Sequence, residues 1–283
     1  MTAGISTARI FDGATSIPAW PTDARGIAYG DGVFETMRVD RGTVAWWDAH
    51  WQRLSRGAER LHLVLPALEQ ARAQAADLFV DGGDGVLKLL LTRGGGGRGY
   101  SVSKAAAPLW MLSRSAMPPE FPQQGMALHI CRTRLATQPA LAGLKHCNRL
   151  EQIIARAECD EAGADEGLML DMEGNVVSAT AANLFVLQGR QWLTPQVDRC
   201  GIAGVCRQHL LALLDAREQQ LSMQDLEAAE AIFLCNAVRG ILPVARIGGR
   251  EWAPHPEVAN ARQALARIHP GFHRHDPVTR EHT

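Results

Sequence analysis

The sequence predicts a two-lobed α+β / α/β protein, with a smaller N-terminal α/β lobe and a larger C-terminal lobe holding an antiparallel meander. Three observations predict it. Strand-like runs alternate with helical stretches whose apolar residues share one face through residues 8–92. A segment with three prolines and little periodicity, 113–124, then reads as a linker. Beyond it, short strands separated by glycine turns crowd into 167–194. The lobes are therefore placed at 1–112 and 125–283.

Residues 8–47 read as strands joined by turns. FETMRV (34–39) and TVAWW (43–47) flank Asp40-Arg41-Gly42, a hairpin signal. Asp48 is placed to cap a helix carrying Leu54, Ala58 and Leu61 on one face. A second helix over 67–80 and a strand over 86–92 lead into RGGGGRGY (93–100). A glycine-rich loop after a strand invites a nucleotide reading, but no Gly-Lys-Ser/Thr follows and no helix opens behind it. Two readings stay open: a flexible surface loop, or a bare backbone that approaches a ligand while Arg93 or Arg98 meets a carboxylate bidentately.

Past the linker, a strand over 126–135 leads toward Lys145. Asn148 and Glu151 are spaced like a capping box, and Leu150, Ile153, Ile154 and Ala157 form one apolar stripe on the helix that follows. Strands at 167–171, 176–180, 184–187 and 191–194 make the meander, with turns at Glu173-Gly174-Asn175 and Gln188-Gly189-Arg190. GIAGVCR (201–207) opens a helix bearing Leu210, Leu211 and Leu214; its free N–H groups and positive dipole end suit an anion. A strand over 231–234 runs into Cys235-Asn236-Ala237, and a final helix spans 256–268. The histidines after Pro270 have no second ligand group spaced to join them, so a polar tail is expected and no metal site.

Composition narrows the function. A net charge of −1 lacks the basic surface that a nucleic-acid binder needs. No apolar run approaches the ~20 residues that span a bilayer, and the opening MTAGIS lacks the regions of a signal peptide. The six cysteines are scattered, as expected of reduced thiols in a cytoplasmic protein rather than a disulfide framework or zinc site.

Amine chemistry has few candidates. The chain has three lysines, Lys88, Lys104 and Lys145, against more than twenty arginines. A guanidinium stays protonated, whereas a lysine can lose its proton in a pocket and attack a carbonyl. Lys88 sits in a strand-like run and Lys104 in a loop. Lys145 lies between Gly143 and a helix start.

The words around that lysine, LAGLKHCNRLEQ (141–152), closely resemble the lysine segment of fold-type IV pyridoxal-phosphate (PLP) enzymes, and within them the aminodeoxychorismate lyases. RGIAYGDGVFET (25–36), HWQRL (50–54) and the 93–100 loop resemble further motifs of that family in family order, so the likeness runs from about residue 8 to 250. The resemblance implies a homodimer in which the C-terminal lobe binds PLP, with Lys145 bonding the cofactor and later moving protons. It assigns the phosphate to Arg53 and to backbone near Val205, Cys206, Asn236 and Ala237, and makes Arg98, Arg93, Tyr29 and Thr36 candidate substrate contacts. The reaction implied is conversion of 4-amino-4-deoxychorismate to 4-aminobenzoate and pyruvate. One position departs: in VVSATAANLF (176–185) the family has Glu where this chain has Ser178, beside the pyridine nitrogen. A hydroxyl shares a hydrogen bond but brings no fixed charge to hold that nitrogen protonated. Two alternatives are a branched-chain or D-amino-acid transaminase of the same fold and a non-catalytic ligand-binding relative.

Overall fold

A computed structural model describes residues 7–95, 99–102, 107–122 and 124–275. The chain divides into two compact units, the first comprising Met1–Pro118 with Leu144–Asn148, the second Pro119–Gly143 with Arg149–Thr283.

The first unit carries β1 (Thr7–Asp12), β2 (Thr15–Ile17), α1 (Arg25–Tyr29), β3 (Gly32–Val39), α2 (Trp47–Arg60), α3 (Leu68–Leu78), β4 (Gly85–Arg93) and β5 (Pro108–Ser115). Its five strands pair antiparallel in the order β2-β1-β5-β4-β3. Strand alternation in β3 sends Val33, Glu35, Met37 and Val39 to the buried face, and leaves Phe34 and Thr36 half-buried on the other. Trp47, Leu54 and Ala58 of α2 meet that buried face with Leu87, Leu89 and Trp110. Fully burying a side chain such as Leu54 contributes about 1.5–3 kcal/mol.

Local expectations differ here in three places. Residues 43–47 form no strand: Arg41 and Gly42 turn the chain through positive φ, one Asp40–Thr43 bridge closes the turn, and α2 begins at once. Asp48 lies inside α2 and pairs with Arg72, while Trp46 is the uncapped N-terminal residue. The strand β5 runs on to Ser115 because Ser113 and Ser115 still pair with β4, so the proline stretch begins later than 113.

Lys145 also changes place, from the expected C-terminal lobe to the first unit. The Phe34 N–H donates to the Lys145 carbonyl and the Cys147 N–H to that of Gly32, both at 2.9 Å. The Asn148 amide donates to the Gly30 carbonyl at 3.3 Å, and a side chain at Gly30 (φ +63°) would collide with it. These bonds join residues more than a hundred positions apart, which no local pattern announces.

The second unit contains β6 (Met126–Ile130), α4 (Leu150–Glu161), β7 (Glu166–Leu170), β8 (Val176–Ala179), β9 (Asn183–Gln188), β10 (Gln191–Pro195), α5 (Val205–Leu213), β11 (Arg217–Gln219), α6 (Met223–Glu227), β12 (Ala231–Asn236), β13 (Gly240–Ile247), β14 (Arg250–Glu251) and α7 (Pro256–Ile268). Its sheet runs β11-β10-β9-β12-β13-β6-β7-β8, with β14 on β13. The stretch expected as one meander is two antiparallel pairs, β7–β8 and β9–β10, separated in the sheet by β12, β13 and β6. The central strands β9 and β12 are buried on both faces, which explains their unbroken apolar runs; Phe185 stacks on Phe233 at 5.0 Å.

The helix α4 reverses its expected face. Leu150, Ile153 and Ile154 are 70%, 62% and 55% exposed, while Ala155 and Cys159 are buried. Small residues win the inner side because Gly167 of β7 approaches so closely that a Cβ there would strike the sulfurs of Cys131 and Cys159. No capping box forms: Arg149 is the N-cap, Asn148 is drawn to Gly30, and Glu151 accepts the Ala136 N–H at 2.8 Å. The tail is less polar than expected, since a 3₁₀ turn at Pro270–His275 buries Phe272 against Gly240; residues 276–283 lie outside the described ones.

Candidate functional site

In the first unit, the Nζ of Lys145 lies 4.3 Å from the centre of the Phe34 ring. The Nζ of Lys88 lies 5.1 Å from the same centre. Two of the chain's three lysines therefore share one aromatic ring, and Lys104 is outside the described residues. The sequence reading placed Lys88 in a strand and gave it no role. Its signal was the single charge interrupting the apolar run of β4, which register places opposite Thr36 on the half-buried face.

On the other side of β3, Glu35 is buried under α2. Arg53 donates to it through Nε at 2.8 Å and through a terminal nitrogen, and His50 Nδ1 lies 2.6 Å from Oε2. Burial by itself would raise the Glu35 carboxyl. The charge of Arg53 and the hydrogen bonds from His50 and Arg53 overcome that and hold it at about 2. Burial lowers His50 in turn, against the opposing pull of Glu35. A carboxylate only accepts, so Nδ1 of the neutral imidazole carries the proton.

A second buried network holds the start of β3. Asp31 accepts from Arg25 Nε and Arg93 Nε, each at 2.9 Å. Burial raises Asp31, but the bonds from the two arginines leave its carboxyl below the ordinary range. Arg93 also donates to the carbonyls of His62 and Leu61, at 2.7 and 2.6 Å, where α2 ends. Its guanidinium is thus engaged in holding structure, which speaks against Arg93 as the arm that meets a ligand carboxylate. Arg98, the other candidate, lies outside the described residues. Arg25 donates to the Gly99 carbonyl at 2.7 Å and lies over the Tyr29 ring; the Tyr29 hydroxyl accepts the Gly99 N–H, and Tyr100 meets Tyr29 at 5.6 Å.

In the second unit, α5 begins after Gly204 with no side-chain cap among the described residues. Gly201 turns at φ +82°, Asn183 Nδ2 donates to the Ile202 carbonyl at 2.9 Å, and a side chain at Gly204 would strike Asn183. The backbone of Val205 and Cys206 thereby sits beside the end of β12. The Cys206 and Cys235 thiols touch there, and burial followed by Cys235 raises Cys206 well above the ordinary thiol range. Both thiols are buried. Asn236 accepts the N–H groups of Val238 and Arg239 at 3.0 and 2.8 Å, so its side chain builds the turn that carries Ala237. Ser178 is buried on β8, opposite Met169. Among the described residues no His, Cys, Asp and Glu group could hold a metal ion, and no helix is long and apolar enough to cross a membrane.

The Amino-transferase class IV family profile matches residues 32–247. The chain belongs to this family. Among similar class IV proteins, aminodeoxychorismate lyase of Vibrio harveyi is 32% identical over 239 residues, covering 82% of this chain and 88% of that one. D-alanine aminotransferase of Bacillus licheniformis is 26% identical over 253 residues, 85% of this chain and 88% of that one. The crystal structure of 4-amino-4-deoxychorismate lyase from Pseudomonas aeruginosa superposes with a TM-score of 0.83 at 39% identity, over 91% of this chain and 98% of that one. For a class IV protein that takes PLP, each unit by itself has donors that fit part of the group: the first an amine that can bond an aldehyde and a cationic guanidinium, the second a helix N-terminus that suits a phosphate.

Proposed function

We propose that this chain is a PLP-dependent lyase that converts 4-amino-4-deoxychorismate into 4-aminobenzoate and pyruvate. The observation that carries this is the Lys145 amine seated on Phe34 with a second cation, Lys88, on the same ring, in a chain so similar to known lyases. PLP, when bound, supplies the electron sink. Lys145 would hold the cofactor through its amine and, once the substrate's own amine has displaced it, would take the proton from C4 of the substrate. The C–O bond to the enolpyruvyl group then breaks, the ring becomes aromatic, and a proton on the departing methylene completes pyruvate. Arg53 and the backbone N–H groups at Val205, Cys206 and Ala237 are assigned to the phosphate. Lys88 and Arg98 are assigned to the two substrate carboxylates, with Tyr29 and Thr36 as neighbours of the substrate.

Ser178 supports a lyase over a transaminase. Aromatisation drains charge as it develops, so a weaker sink suffices; a transaminase must hold that charge and reprotonate the cofactor.

A homodimer is part of this reading. Leu150, Ile153 and Ile154 form an exposed apolar stripe on α4, the kind of surface that a two-fold interface covers. Six free cysteines support a cytoplasmic setting.

The deciding assay compares formation of fluorescent 4-aminobenzoate from aminodeoxychorismate with transfer from D- and branched-chain amino acids to 2-oxoglutarate. Faster transfer than lyase turnover would replace this reading with the transaminase one. A purified protein with no visible cofactor absorbance, and none after PLP is added, would leave a ligand-binding relative.

A further inference from the structure

The sequence places Phe34 and Glu35 side by side, and strand geometry sends them to opposite faces of β3. Phe34 lies under the Lys145 amine. Glu35 receives Arg53 through both of its oxygens, and His50 adds a third donor at 2.6 Å. Three donors on one buried carboxylate leave it no alternative orientation. Arginine has four rotatable side-chain bonds, and holding Nε together with a terminal nitrogen fixes the plane of the guanidinium. Stability alone does not call for this arrangement, since a buried ion pair is commonly no better than a packed apolar pair of the same volume. What it supplies is a fixed direction.

We infer that Glu35 is a positioning residue: it aims the Arg53 guanidinium before the cofactor arrives, so that binding the phosphate does not have to order a free arginine. The inference rests on the assignment of Arg53 to the phosphate. Two neighbouring residues of one strand then set both anchors of the cofactor, Phe34 the amine and Glu35 the phosphate arm.

The test compares PLP with pyridoxal, which has the aldehyde but no phosphate. The holoenzyme is resolved from its cofactor, and both compounds are titrated by tryptophan fluorescence into native protein, Glu35→Gln and Arg53→Gln. Glu35→Gln should weaken PLP roughly 10- to 30-fold, the scale of one charge-assisted bond, and change pyridoxal less than about threefold. A merely structural role would weaken both compounds alike, or neither, and that result overturns the inference. Arg53→Gln separates the two levels. If it lowers the PLP-to-pyridoxal preference while Glu35→Gln does not, positioning fails and the phosphate assignment stands. If it leaves the preference unchanged, the phosphate assignment has failed. Should Glu35→Gln not fold, Glu35→Asp keeps the charge but withdraws it by one methylene; it should lose part of the preference, and a native preference would overturn the inference equally.

Discussion

Lys145 is held to Phe34 at both ends: its Nζ stands 4.3 Å from the ring centre, and its carbonyl accepts the Phe34 N–H at 2.9 Å. The amine is therefore placed by β3 and not by the helix that follows it in sequence. Lys145→Ala should reduce turnover by ~10³-fold or more, the scale of losing a positioned acid–base group. Borohydride reduction and peptide mapping should put the cofactor on Lys145 in the native protein. Turnover that survives in the variant with label on Lys88 would move the covalent role one strand over.

Lys88 is exposed on β4, so Lys88→Met should fold normally. It should raise KM for aminodeoxychorismate about 30-fold, with a smaller change in kcat, as expected when a charge-assisted contact of ~2 kcal/mol is removed from ground and transition states alike. An unchanged KM would assign that carboxylate elsewhere.

Arg93→Ala should act on stability. It leaves Asp31 buried with one arginine fewer and uncaps the end of α2. Breaking a buried pair costs roughly 3–5 kcal/mol, which would lower Tm on the order of 10 °C. A native Tm with a raised KM would restore Arg93 to the ligand.

Acid should unfold the protein partly through Glu35. Its carboxyl falls from an ordinary 4.5 to about 2 on folding, so its contribution is complete above about pH 4.5 and disappears as pH drops toward 2. The shift corresponds to roughly 3 kcal/mol. Asp31 is lowered as well and acts in the same direction. His50, lowered from 6.5, begins to cost stability already below that pH, because the unfolded chain binds the proton more readily. Urea midpoints between pH 7 and 3 should fall less steeply in Glu35→Gln than in the native protein. Parallel profiles would remove Glu35 as a source of the acid sensitivity.

Ser178→Glu should raise side transamination. On the proposed reading serine gives the ring nitrogen no fixed negative partner, and conversion of bound PLP to pyridoxamine phosphate by amino acids should be negligible. Restoring the carboxylate should speed that conversion, measured spectrally in single turnover. Equally fast conversion by the Ser178 form would show that another group protonates the nitrogen.

The sequence by itself singled out Lys145 as the candidate reactive lysine, because three lysines among so many arginines leave few choices and the family-like motifs around it are local strings. It also determined the α7 bounds, the near bounds of β4 and α3, and the glycine entry to α5, all of which rest on periodicity and turn chemistry within a few residues. Only tertiary structure decided the rest. The sharing of Phe34 by Lys88 and Lys145 comes from strand register and a pairing across the chain. Arg93 looked like a free arm because its partners, Asp31 and the end of α2, lie far from it in sequence. The stripe on α4 looked like core because apolar spacing reports that a face will be covered, not by what. On the inner side Ala155 and Cys159 are buried, with Cys159 so close to Gly167 that a Cβ there would strike its sulfur, and that is a property of packing between elements which no single segment encodes.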